Sequence, residues 1–439
     1  MRVAVVGSGI AGMGAAWLLS EYADTHLFEI ESRMGGHSHT VTADTAEGPV
    51  PVDTGFIVFN NHNYPNLVGL FDALGVATED TDMSFGVSVG PGRMEYEGSI
   101  AGLLAQPGNL LEKSYWQMIA DLVRFYRTAR HRVAAYQDGE SLADFIAHEG
   151  YSTPFLEQHL LPMAAAIWSC PVETMLEFPA RSFIAFLENH QLMNFIDRPQ
   201  WRTVSGGSRE YVKKIAARLG DRVHLNTTIT GITRKGGGVS LTIAGEGEIW
   251  FDRVILAGHA DQMLPLITDA ADDERQILGA FDFQPNRVLL HSDPALMPAR
   301  RRAWASWSYL TRERIEDGLC VTYWMNRLQN LSCQTPLLVT LNPFFEPSPH
   351  LIHGEYFYSH PVFDGKAIRA QAALPQLQGR DGLYFAGAWT KYGFHEDGLA
   401  SAVAVAKSLG VPIPWASPTA AWHSPQSRDD ALDHSRKPA

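Results

Sequence analysis

Four consecutive apolar residues, Val3-Ala4-Val5-Val6, open the chain without alternation and predict a strand buried on both faces over Arg2–Val6. Glycines follow at once. Gly12–Glu21 then predicts a helix and Thr25–Glu29 a second strand, together a right-handed strand–helix–strand unit. From about Ile100 to His190 the pattern turns helical: Tyr115–Tyr136 is long and amphipathic, Ser141–His148 is short, and Thr153–Ala166 opens on a Ser152-Thr153-Pro154 cap. Strand-like runs return at Arg222–Leu225, Thr228–Thr233, Val239–Ile243 and Glu248–Leu256, with Gly236-Gly237-Gly238 as a hairpin turn. A mixed block, Arg287–Tyr358, holds the aromatic-rich segments Trp304–Tyr309 and Cys320–Trp324. Gly382–Phe385 is the last strand and Gly398–Leu409 the last helix. Beyond Ile413 the chain is rich in proline, serine and charge, and a flexible tail is expected.

Strand–turn–helix pieces at the beginning, middle and end, with helical and aromatic segments between them, predict two interleaved domains. Composition narrows the classes. The 439 residues are 45% hydrophobic and 19% charged, and 35 Lys and Arg against 48 Asp and Glu leave a net charge of −13. That sign argues against nucleic-acid binding. Three scattered cysteines, Cys170, Cys320 and Cys333, fit neither a disulfide framework nor a zinc site. His37 and His39 alternate without a carboxylate or cysteine cluster, so no metal site is expected. No Gly-x-Ser-x-Gly elbow supports a hydrolase. The opening apolar run is too short for a signal peptide, and no stretch nears the ~20 apolar residues of a membrane span. A cytoplasmic location is expected. Arg300-Arg301-Arg302 is the one basic cluster that a peripheral contact at the inner membrane face could use.

Gly7-Ser8-Gly9-Ile10-Ala11-Gly12 is a Gly-x-Gly-x-x-Gly that follows a predicted strand and opens a helix. Glu29 ends the next predicted strand, 22 residues after Gly7, at the distance expected of an acid that accepts from ribose hydroxyls. The glycines admit a pyrophosphate to the helix N-terminus, and an acid at that position disfavours a 2′-phosphate. Arg33-Met34-Gly35-Gly36 supplies a second glycine loop, and Gly387 ends a strand before the helix that follows His395-Glu396-Asp397-Gly398-Leu399. A nicotinamide dehydrogenase needs neither segment, and an FAD protein uses both. No second glycine motif follows a predicted strand, so no separate nicotinamide domain is expected.

With these motifs the chain resembles the flavin-containing amine oxidase and carotenoid (phytoene) desaturase superfamily. More narrowly, Val52-Asp53-Thr54-Gly55-Phe56-Ile57-Val58-Phe59-Asn60, Trp201 to Ser208, Trp304-Ala305-Ser306-Trp307, Thr322 to Asn326 and His395 to Leu399 resemble predicted NAD/FAD-binding oxidoreductases found beside cyclopropane-fatty-acyl-phospholipid synthase-type methyltransferases. The resemblance implies an α/β fold: a Rossmann-type, glutathione-reductase-like FAD domain (residues 1–85, 205–270 and 380–412) interleaved with a sheet-plus-helices substrate domain (86–204 and 271–379), and a tail over 413–439. It implies that Gly7, Gly9 and Gly12 hold the pyrophosphate, Glu29 the adenosine ribose and Val223 the adenine side. Arg33, Gly35 and Gly36 would line the ribityl stretch, and Gly206 and Gly207 would lie near the flavin. Gly387, Glu396, Asp397 and Leu399 would hold the ribityl phosphate and pyrimidine edge. Ile10, Ala11, Ile30, His37, Asp53, Gly55 and Gly398 complete the expected cofactor set. With no cysteine near the C-terminal loop, FAD is expected to be non-covalent.

The resemblance further implies an FAD-dependent desaturase acting on a methyl-branched or otherwise modified unsaturated acyl chain of a lipid, with a methyltransferase as functional partner. An amine oxidase, a double-bond isomerase and a non-catalytic FAD-binding partner of the methyltransferase remain open. The resemblance puts Tyr323 on a strand roofing the cavity and His395 beside the flavin, and makes these two the catalytic candidates. His190 is read as a surface cap rather than a substrate contact, and Trp324, Tyr356, Tyr358 and His360 as core positions as readily as cavity lining.

Overall fold

The structure, a computed structural model, describes residues 1–90, 92–137, 139–168, 172–194, 198–312 and 320–416. Cys170 and everything from residue 417 lie outside the described residues, while Cys320 and Cys333 are buried and free.

The opening apolar run becomes the middle of a five-stranded sheet because both its faces are covered: Val3, Ala4 and Val5 are wholly buried. Across this sheet the order is Val223–His224, Asp24–Phe28, Arg2–Val6, Arg253–Leu256 and Leu383–Phe385, and every pair is parallel. Helix α1 (Ile10–Leu19) leaves the first strand and is buried along its whole length. A helix buried all round shows no amphipathic stripe, which is why its start at Ile10 was not visible in the pattern. Further helices are α2 (Pro65–Leu74), α3 (Lys113–Arg132), α4 (Arg209–Leu219) and α5 (His395–Ser408). The last starts at His395, ahead of the expected Gly398.

Two apolar runs divide. Glu248–Leu256 is two strands: Gly247–Phe251 joins Ile229–Lys235 and Gly238–Ile243 in an antiparallel sheet, whereas Arg253–Leu256 enters the parallel one. Asp252 makes the break. Its carboxylate accepts from the Arg2 amide at 2.6 Å, and its own amide donates to the Arg2 carbonyl at 3.0 Å. Thr153–Ala166 becomes a turn at Thr153–Phe155, a π-helical turn at Leu156–Leu160 and a helix at Leu161–Trp168.

A seven-stranded sheet stands over the crevice in the order Ile352–Pro361, Phe283–His291, Leu338–Leu341, Cys320–Trp324, Trp307–Thr311, Phe85–Val89, Met94–Glu97. Register places Phe85, Trp307, Tyr323, Val339 and Leu290 in one row, and Val87, Tyr309, Val321, Leu341 and Val288 in the next row on the same face. That face packs with α3 and the helices after it in one apolar core. A second core lies among α1, α2, α4 and α5, and a third between the parallel sheet and the antiparallel one.

Three expectations shift at their edges. Trp201–Val204, expected in the substrate block, pairs with Val58–Asn60 and Thr78–Thr81 and buries Val204 in the α1 core. A four-residue strand carries too little pattern to reveal its partner. The expected tail is anchored at its start: Ile413 is buried, and Trp415 stacks on Trp17 at 6.0 Å and donates to Asn66 at 3.1 Å. Arg300 pairs with buried Glu95 at 3.1 Å and Arg301 lies over Trp304 at 3.6 Å, so two of the three clustered arginines serve the fold. Among the described residues no helix is long and apolar enough to cross a membrane.

Candidate dinucleotide-binding site

The carboxyl ends of the parallel strands open into a crevice, the usual ligand position in such sheets. Gly7 turns there at φ +99°. A Cβ on Gly12 would lie 1.8 Å from the Gly7 carbonyl oxygen, so only glycine lets α1 start this close to the first strand. Gly9 is the N-cap of α1. No side chain caps it, and the space where its Cβ would point is open. That open, amide-lined cradle is the feature a pyrophosphate fits. The second glycine loop lies against it: a Cβ on Gly36 would stand 3.0 Å from Gly9 Cα, and the Gly35 amide donates to the Ser8 carbonyl at 3.0 Å. Arg33 braces that loop by donating to the Gly36 carbonyl at 2.9 Å. Ile10 and Ala11 are buried, and Ile30 is exposed on the rim.

Glu29 stands one residue past its strand. It accepts from the Ser8 amide at 2.8 Å, the Ser8 hydroxyl at 2.6 Å and the Glu31 amide at 3.0 Å. Val223 pairs with Leu27 on the neighbouring strand. Gly55 passes close under His37, with its Cβ position 2.2 Å from the His37 carbonyl oxygen. Gly206 and Gly207 turn at φ +83° and +93° ahead of α4. Gly387 donates to the Ser401 hydroxyl at 2.9 Å. Gly398 and Leu399 pack α5 on α1: a Cβ on Gly398 would meet Ile10 at 2.8 Å, and one on Gly14 would meet Leu399 at 2.4 Å.

Three carboxylates of the expected set point into protein instead. Asp53 is buried and accepts from the Ser208 amide at 3.0 Å, Thr40 at 2.5 Å and Gln329 at 2.9 Å, which caps α4 from a distant hairpin. Burial pushes it up to about 6. Glu396 accepts from the Asn66 and Leu67 amides at 3.1 and 3.0 Å and so caps α2. Burial raises it to about 7. Asp397 accepts from the Phe394 amide at 3.0 Å and is raised to about 6, again by burial. At the start of α5 a cofactor would therefore meet backbone amides, with both carboxylates turned to capping.

His395 lies flat on Phe56 at 3.8 Å, with its Nε2 at 2.8 Å from the Tyr211 hydroxyl and 3.0 Å from Ser38. Burial lowers it to about 3, so it is neutral at physiological pH. Tyr323 sits on the seven-stranded sheet, stacked on Trp307 at 6.2 Å, and burial pushes its hydroxyl well above the ordinary value. His190 closes a helix, its Nδ1 at 3.0 Å from the Phe186 carbonyl. Tyr358 hydrogen-bonds Thr54 at 2.6 Å and His39 at 2.9 Å, which ties this sheet to the Thr40–Asp53 hairpin. His37 and His39 precede that strand and do not share a strand face. One crevice residue had no place in the sequence reading: His259, which follows Ala257-Gly258 at the end of a parallel strand, where a Gly7-like position was the available signal.

Comparison with known proteins agrees with this geometry. A family model for flavin containing amine oxidoreductase matches residues 10–289. A Mycobacterium tuberculosis H37Rv protein named as a flavin-containing monoamine oxidase, AofH, is 25% identical, covering 89% of this chain and 87% of its own. Among solved structures, a putrescine oxidase variant superposes with TM-score 0.68 at 16% identity, covering 93% of this chain and 99% of its own. A fatty acid isomerase from P. acnes gives 0.63 at 18%, covering 93% and 98%. At such identities the superpositions speak for the fold. The family model spans more than half of the chain, and on that match the protein belongs to the flavin-containing amine oxidoreductases, its cofactor FAD and its activity that of an FAD-dependent oxidoreductase.

Proposed function

We propose that this oxidoreductase dehydrogenates an apolar substrate, a lipid acyl chain. One observation carries the reading: the face of the seven-stranded sheet turned to the helices is neutral. Its two central rows are aromatic and aliphatic. Burial raises the Tyr96 and Tyr323 hydroxyls and lowers His159 to about 3. The buried carboxylates nearby already have partners, Asp53 with Ser208, Thr40 and Gln329, and Glu95 with Arg300 and Ser88. Neither central row carries a carboxylate to pair an ammonium group, and the apolar side chains of both rows suit an alkyl chain.

FAD held by the Gly7–Gly12 turn and the Arg33–Gly36 loop would supply the two-electron oxidant for removal of a hydride and a proton from adjacent carbons. The apolar residues of this sheet would keep water from the reacting carbons. Methyl branching of the substrate and a methyltransferase partner belong to this proposal through the sequence resemblance. The fatty acid isomerase keeps a redox-neutral version in view, and the likeness to AofH favours a second reading, amine oxidation. Anaerobic absorbance of the FAD-loaded protein separates them. Bleaching of the oxidised-flavin band by phospholipid with methylated acyl chains supports dehydrogenation. An unchanged band with rearranged double bonds means isomerisation. Bleaching by primary amines alone would replace the acyl proposal with amine oxidation.

A further inference from the structure

Three histidines from distant parts of the chain meet above the N-terminus of α1. His37 follows Gly36, which lies against Gly9. His259 follows Gly258, whose amide stands 3.0 Å from the Cβ position of Gly7. His360 comes from the Ile352–Pro361 strand of the seven-stranded sheet. The His37 ring lies 6.3 Å from that of His259 and 5.3 Å from that of His360. His37 Nε2 and His259 Nδ1 are buried and have no hydrogen-bond partner. Buried polar nitrogens are seldom left so, and two side by side mark the place of an absent partner.

The surroundings specify its charge. Burial, then the surrounding imidazoles and the Arg33 guanidinium, disfavour protonation of His37, and Arg33 is the group among them that is charged at neutral pH. Asp261 is the acid that acts on His259. No group of three or more His, Cys, Asp or Glu side chains among the described residues is arranged for a metal ion. The orientation of His360 is fixed as well. The Asn342 amide donates to Asn286 Oδ1 at 2.7 Å, so Asn286 Nδ2 faces His360 Nδ1 at 2.8 Å and donates to it. The hydrogen of His360 is therefore on Nε2. His259 is held flat against Phe283 at 4.3 Å. An oriented N–H on His360, unpaired ring nitrogens on His37 and His259, an arginine nearby and an uncapped helix N-terminus together suit an anion.

We propose that His37, His259 and His360 form one anion site that grips the pyrophosphate of FAD. This rests on the assignment of the crevice to FAD, and it adds His259 and His360 as cofactor-positioning residues. Because His360 belongs to the seven-stranded sheet, cofactor binding would also clamp that sheet to the parallel one.

The test is ligand titration of apoprotein with FAD, ADP and adenosine. His259→Phe and His360→Phe keep a flat ring and remove the N–H donor. Each is expected to weaken FAD and ADP on the order of tenfold, as for a lost hydrogen bond to a charged group, and to leave adenosine unchanged. His360→Gln, which restores a donor, is expected to recover part of the loss. In case a variant does not fold, inorganic pyrophosphate is expected to displace ADP from the wild-type protein. Unchanged ADP affinity in both Phe variants, equal losses for adenosine and ADP, or no displacement by pyrophosphate would overturn the site. A wild-type protein that takes up neither FAD nor ADP would overturn the FAD assignment first, and the histidine site with it.

Discussion

Glu396 shows how far a side chain's role can lie from its motif. It sits in the motif expected to hold the flavin, yet its carboxylate bonds amides on α2, 330 and 329 residues away. Glu396→Ala is therefore expected to cost about 1–2 kcal/mol of stability, the usual loss of a helix cap, read by urea denaturation of apoprotein. Asp53 behaves likewise, capping α4 from 155 residues away. Such partners leave no local trace in the sequence. The glycine motif does, because the Cβ position of Gly12 falls 1.8 Å from the Gly7 carbonyl oxygen within the same turn. His395 was a catalytic candidate, and its burial against Phe56 and Tyr211 holds it near 3. The pH profile of kcat is expected to show no ionisation between pH 5.5 and 8 that disappears in His395→Gln. A limb near 6.5 lost in that variant would restore it as an acid–base group.

At the scale of elements, α1 and α5 are held together at glycine. The Gly14 Cβ position is already 2.4 Å from Leu399 Cδ1. Gly14→Val is expected to force the two helices apart, to cost about 1–3 kcal/mol as overpacking does, and to weaken FAD, since both helix N-termini face the crevice. Urea denaturation and an FAD titration would show it; unchanged values in both would mean that the helices separate freely. Element existence was legible where periodicity or turn chemistry was strong, as in Arg2–Val6 and the Gly236–Gly238 turn. It was not legible where one apolar run served two sheets. Only the hydrogen bonds between Arg2 and Asp252 decide where Glu248–Leu256 divides.

For the whole molecule, burial of many histidines sets the response to acid. His39, His190, His291 and His360 are lowered to about 4, and His159 and His395 to about 3. Their ordinary value is near 6.5, so as pH falls through 6.5 the unfolded chain takes up protons that the folded chain refuses, and stability drops until about pH 4. The raised carboxylates Asp53, Glu396 and Asp397 act in the opposite sense, adding stability as pH falls through about 7 to 4. Six lowered histidines outweigh three raised carboxylates. Apoprotein is expected to lose stability between pH 6.5 and 4.5 with net proton uptake on unfolding, measurable by denaturation across pH; constant stability would contradict that balance. What the sequence determined alone was the parallel strand–helix unit, its dinucleotide crevice and the family, because these rest on local sterics and on short-range spacing of glycines with one acid. The tertiary structure decided which carboxylates cap helices, which histidines meet above α1 and how the seven-stranded sheet comes to touch the crevice. Those depend on contacts between residues hundreds of positions apart, whose directions are set only once the chain has closed on itself.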